Sequence, residues 1–124
     1  MKIAIIEDDL IIQMFLENVA YNSKLEVVGT ATCFKDAIRL IENTKPDLII
    51  LDIGLKGNMD GIETAKVITN RFSTPHIFIS GNSDKMTQKR AKATNPLGFI
   101  NKPIDEETLK KNLLDFKEKI KIVS

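Results

Sequence analysis

Five short apolar runs, separated by stretches of helical period, leave this chain few ways to fold. Residues 3–6, 26–30, 48–51, 76–79 and 98–100 read as strands. The runs at 48–51 and 76–79 are almost wholly apolar, as in strands covered on both faces. Between and after them, Ile11, Ile12, Phe15, Leu16 and Val19 recur on one helical face. Ala37, Ile38, Leu40 and Ile41 mark a second helix with Thr32 as its N-cap, and Ile62, Ala65, Ile68 and Phe72 mark a third. Leu109, Leu113, Phe116 and Ile120 mark the last. The segment 83–94 is also helical in character and is stopped by Pro96, yet its apolar residues are only Met86, Ala91 and Ala93. Such a helix is expected to be weakly held. Alternating βα units imply an α/β fold: a doubly wound, flavodoxin-like, five-stranded parallel sheet in the order 2-1-3-4-5, flanked by five helices.

The 124 residues suit one domain spanning 1–124, with no linker, repeat or low-complexity stretch. A net charge of +1 gives no global field toward nucleic acid or an anionic membrane, and no recognition-helix motif is left over. The lone Cys33 cannot form an intramolecular disulfide, which fits a reducing compartment. No apolar run is long enough to span a bilayer, and the apolar start at 1–6 is too short for a signal peptide. A cytoplasmic location is the expectation.

Sheets of this order bind ligands outside the carboxyl ends of their strands, near the switch between strands 1 and 3. Glu7, Asp8 and Asp9 follow the first strand, Asp52 the third, Ser80 and Gly81 the fourth, and Asn101, Lys102 and Pro103 the fifth. Carboxylates, a hydroxyl and an ammonium thus converge on one crevice. Clustered carboxylates repel one another, and a hard divalent cation removes the conflict. Mg²⁺ suits one or two carboxylates together with waters and phosphoryl oxygens. With such a cation Asp52 can stand beside a phosphate, whose remaining oxygens Lys102 and Ser80 can contact.

Other features read as structural. Ser80 alone could be a turn or cap residue, a task that Asn82 or Ser83 can take instead. His76 opens the fourth strand, far from the carboxyl ends, and Cys33 stands near a helix start. The basic run Lys85, Lys89, Arg90 and Lys92 reads as a solvated helix face. A flavin module of this strand order needs a neutral or Gly-rich phosphate loop after strand 1, where this chain has three acids, and no P-loop occurs. An aspartyl-phosphate-type phosphatase would carry its nucleophile after strand 1 with D-x-D spacing, which Glu7-Asp8-Asp9 lacks.

The runs Ile5-Ile6-Glu7-Asp8-Asp9, Pro46-Asp47-Leu48-Ile49-Ile50-Leu51-Asp52, Ile77-Phe78-Ile79-Ser80-Gly81 and Phe99-Ile100-Asn101-Lys102-Pro103 resemble the response-regulator receiver domain of bacterial two-component systems. The four occur in order and cover essentially the whole chain. The resemblance implies a phosphoacceptor, at most self-catalysing its phosphorylation and dephosphorylation, that takes a phosphoryl group onto Asp52 from a sensor histidine kinase or a phosphotransfer protein. It makes Glu7 and Asp8 the acidic pair for Mg²⁺, Asp8 directly and Glu7 through water, with Asp52 and the carbonyl of Gly54 as further ligands. Ser80 becomes the switch hydroxyl, Lys102 the phosphoryl-pairing lysine and Phe99 the switch aromatic, and Lys102–Pro103 is expected to be cis. The signal would leave through the fourth helix, fifth strand and last helix, toward a downstream protein or an attached DNA-binding or enzymatic output domain.

Two departures stand out. Gly54-Leu55-Lys56-Gly57-Asn58-Met59-Asp60-Gly61 lacks the proline usual four residues after the acceptor and looks one residue longer, and Gly81 stands where alanine is common. Gly54 and Gly81 present no side chain to shield phosphorus, so easy entry of small phosphodonors and a short-lived phosphorylated state are expected.

Overall fold

The computed structural model describes residues 1–81 and 84–123. The elements alternate as predicted: β1 (Lys2–Ile6), α1 (Leu10–Asn22), β2 (Glu26–Ala31), α2 (Phe34–Thr44), β3 (Leu48–Asp52), α3 (Gly61–Arg71), β4 (His76–Ser80), α4 (Lys85–Lys92), β5 (Gly98–Asn101) and α5 (Glu106–Val123). All neighbours in the sheet are parallel and the order is β2-β1-β3-β4-β5, the order expected from the sequence.

Side chains alternate across the pleat, so each central strand feeds two cores. Ala4, Ile6, Ile49, Leu51 and Phe78 face α2 and α3, meeting Ala37, Ile41, Ile62, Ala65 and Ile68. Ile3, Ile5, Leu48, Ile50, Ile77 and Ile79 face α1 and α5, meeting Leu16, Val19, Leu109, Leu113 and Phe116. Burial on both faces explains why β3 and β4 read as continuous apolar runs.

Local expectations needed correction in several places. β1 starts one residue earlier than expected and the other four strands end one residue later; in three of these the added residue is polar, because Asp52, Ser80 and Asn101 are still in the ladder: Asp52 is in register with Ile79, and Ser80 with Asn101. The inner face of α1 is turned by about one residue. Ile11 is 80% exposed, and Gln13 is buried in its place with Leu16, Val19 and Ala20. Thr32 does not cap α2; Cys33 occupies the N-cap in extended conformation and its side chain makes no capping bond. Helix α4 is shorter than 83–94 and is capped by Asp84, whose carboxylate accepts the Thr87 N–H at 2.8 Å. Asn82 and Ser83, the caps expected there, lie outside the described residues. Met86 is 77% exposed and Ala93 is exposed as well, so Ala91 is the single buried residue of α4. The helix is anchored even more thinly than the sequence suggests. No described helix is long and apolar enough to cross a membrane.

Candidate functional site

At the carboxyl end of the sheet lies a crevice of about 600 Å³. Glu7, Asp8, Asp52, Gly54, Ser80 and Lys102 all line it, so the residues singled out from sequence meet in one place, Phe99 excepted.

Glu7, just past β1, is 1% exposed and held from three directions. Its N–H donates to the Ala31 carbonyl at 2.9 Å, its own carbonyl accepts from Gln13 Nε2 at 3.1 Å, and its Oε2 accepts the Asp9 N–H at 3.2 Å. Gln13 was not foreseen. A polar residue in an apolar helical stretch was the available signal, but only the helix phase reveals that it reaches the strand end. Asp8 is half-buried, and its Oδ2 accepts the Lys56 N–H at 3.2 Å, tying the β1 turn to the loop after β3. Asp9, the third acid, caps α1 instead, accepting from the N–H groups of Ile11 and Ile12.

Asp52 ends β3 and is 5% exposed. Its Oδ1 accepts the Gly54 N–H at 3.1 Å and lies 3.4 Å from Lys102 Nζ, which is also 3.6 Å from Glu7 Oε1. One ammonium thus serves two buried carboxylates. Lys102 is positioned by its own N–H, which donates to the Ser80 carbonyl at 2.9 Å, and the Lys102–Pro103 bond is cis as expected. Ser80 ends β4 and is buried.

Carboxylate oxygens of Glu7, Asp8 and Asp52 fall within 4.8 Å of one another. Glu7 Oε1 is fully buried and receives no hydrogen bond among the described residues. Burial, and next the adjoining Asp52 carboxyl, push the Glu7 carboxyl up to about 7. A buried oxygen that receives no hydrogen bond, amid converging hard oxygen donors with one lysine among them, is a set that fits a divalent ion such as Mg²⁺.

Gly61, also unforeseen, sets how closely α3 approaches this site. Its N–H donates to the Ile53 carbonyl at 3.1 Å, and a Cβ there would run into the Asp52 carbonyl oxygen. Asp60 and Glu63 form a capping box ahead of it, recognisable in the sequence as D-x-x-E. Phe99 stands apart from the crevice, half-buried on β5, its ring 5.9 Å from that of Phe78.

A family model described as response regulator receiver domain matches residues 3–114. The chain is similar to the sensory transduction protein LytT of Bacillus anthracis, 28% identical over 119 residues, which cover 95% of this chain and 48% of that one. It is 29% identical over 102 residues to the transcriptional regulatory protein PdtaR of Mycobacterium tuberculosis, covering 82% of this chain and 49% of the relative. The chain therefore spans about half the length of these curated relatives. Among solved structures, the signal receiver domain of a modulated diguanylate cyclase from Desulfovibrio desulfuricans G20 superposes with a TM-score of 0.90 at 30% identity, covering 99% of this chain and 98% of that one.

Proposed function

The chain belongs to the response regulator receiver domain family, and from that premise we propose that residues 1–124 form one receiver domain that accepts a phosphoryl group on Asp52 with Mg²⁺ bound. The observation that carries this reading is the position of Asp52: a buried carboxylate at a strand end, beside Glu7 and Asp8 and sharing Lys102 with Glu7.

In the transfer, an Asp52 oxygen attacks phosphorus as the phosphorus–nitrogen bond of a donor phosphohistidine breaks, its electron pair leaving on the imidazole nitrogen. Asp8, Asp52 and the Gly54 carbonyl would hold Mg²⁺, with Glu7 acting through water. When bound, the ion supplies charge neutralisation for the transferring group. Lys102, already 3.4 Å from Asp52, turns to a phosphoryl oxygen, and Ser80 supplies a hydroxyl to another. The phosphoryl charge draws the loop after β4 inward, biasing α4, β5 and α5 toward a second arrangement in which Phe99 turns in. Thin anchoring of α4 supports its role as the mover.

The donor is a sensor histidine kinase or phosphotransfer protein, and the receiving partner is a downstream protein or attached output domain at the α4–β5–α5 face, without direct nucleic-acid contact. The cytoplasm is the proposed location. Exposure to a small phosphodonor with Mg²⁺, followed by peptide mass spectrometry, tests the assignment. Label confined to Asp52 and absent in Asp52→Asn is expected, and undiminished labelling of that variant would sink it.

A further inference from the structure

Arg90 is one of four basic residues on α4, all of which read from sequence as a solvated face. The structure separates it from the others. Thr87 and Arg90 line the crevice that holds Asp52, while Lys85, Lys89 and Lys92 do not. The Arg90 guanidinium reaches across the mouth to Asp60, with Nη2 3.6 Å from Oδ2. Asp60 is itself fixed, because its Oδ1 accepts the Glu63 N–H at 2.8 Å as the cap of α3. Two other basic residues line the crevice: Lys102 is engaged by Glu7 and Asp52, and Lys56 lies exposed on the loop after β3, tied to Asp8 by its backbone N–H and not carried on α4.

An anionic phosphodonor approaching this crevice meets the buried carboxylates Glu7 and Asp52 and the more exposed Asp8, Asp9 and Asp60. Both members of the Arg90–Asp60 pair are well exposed, and the contact is long and not bidentate. Exposed pairs of this kind hold their members together by no more than about a fivefold preference. A phosphate, with more charge and more acceptor oxygens than one carboxylate, competes with Asp60 for the guanidinium. We propose that Arg90 is a binding residue for the incoming phosphodonor: it draws the anionic donor into the mouth of the crevice, and Asp60 restrains it until the donor arrives. The inference rests on Asp52 being the acceptor. It assigns Arg90 to entry and leaves the transfer step to the floor of the site.

The test measures the rate of Asp52 phosphorylation by acetyl phosphate, at saturating Mg²⁺ and low ionic strength, in the intact chain. Arg90→Gln should lower the second-order rate constant about three- to tenfold, and the loss should fade as salt screens the charge. The maximal rate should stay unchanged, and Arg90→Lys should recover most of the loss. Asp60→Asn should act in the opposite sense and raise the second-order constant, because asparagine still caps α3 while releasing Arg90. Lys89→Gln, which removes a charge outside the crevice, should have the smallest effect. A wild-type rate in Arg90→Gln overturns the inference alone, as does a fall in maximal rate or a shift of Asp60→Asn in the same direction. Absence of label on Asp52 in the wild-type chain would overturn the acceptor assignment and this inference together.

Discussion

The two ends of the central strands bury ionisable groups in opposite ways. At the amino end of β4, His76 is 3% exposed, its Nε2 2.9 Å from the Thr94 hydroxyl, which in turn donates to the Ala91 carbonyl at 2.7 Å. Burial pushes the imidazole down to about 4, so it is neutral and partnered at neutral pH. At the carboxyl end, Glu7 and Asp52 are buried beside one shared ammonium, with one Glu7 oxygen that receives no hydrogen bond among the described residues. One end is finished by the chain itself, whereas the other is left for something that arrives. Polar burial that closes its own hydrogen bonds is structural, and polar burial that does not marks the working end.

The largest effect should come from forcing the working end apart. A Cβ at Gly61 would meet the Asp52 carbonyl oxygen and lie within 2.7 Å of Ile53 Cα, and backbone cannot move aside as a side-chain tip can. Gly61→Ala should cost about 3 kcal/mol of unfolding free energy in urea and depress Asp52 labelling as well. Unchanged labelling would mean that the site tolerates a shift of α3.

The amino end should reveal itself through pH. His76 takes up its proton near 6.5 when unfolded and near 4 when folded, so the unfolded state binds more protons between those values. Its contribution is therefore complete above about pH 6.5 and is lost as pH falls toward 4, by on the order of 3 kcal/mol in total. Urea unfolding of wild type against His76→Val across this window should show a shallower slope in the variant. Equal slopes would remove His76 from the amino-end account.

Thr94→Ala isolates the same end further. It leaves His76 Nε2 without its partner and should cost about 1–2 kcal/mol, with Mg²⁺ affinity unchanged by calorimetry. A fall in Mg²⁺ affinity would show that the two ends are not independent.

The smallest effect concerns lifetime. A side chain at Gly54 would begin 3.7 and 3.9 Å from the two Asp52 carboxylate oxygens, ordinary contact distances, so a Cβ is accommodated there beside the acceptor. Gly54→Met should slow decay of the phosphorylated protein severalfold by limiting the approach of water. Unchanged or faster decay would mean that Gly54 does not set the lifetime.

Much of this was legible in the sequence, because the repeating apolar pattern places strand ends and the strand ends place Glu7, Asp8, Asp52, Ser80 and Lys102. What stayed hidden depended on phase or on partners distant in sequence. Adjacent Ile11 and Ile12 suit two rotations of α1, and the choice rests on Gln13 reaching the Glu7 carbonyl. Thr32 looked the better cap, yet the helix begins one residue later, after Cys33. Arg90 could not be told from its lysine neighbours until Asp60 stood opposite. Polar residues ending strands were read as loop because periodicity registers apolar side chains and not ladder hydrogen bonds.

Unfolding of wild type and Asp52→Asn, each in chelator and in Mg²⁺, tests the contrast between the two ends most directly. Removing one of the crowded charges should make the variant more stable than wild type in chelator, and Mg²⁺ should stabilise wild type far more than the variant. A variant less stable in chelator, with an undiminished gain from Mg²⁺, would contradict the reading of the carboxyl end as a site held open for charge.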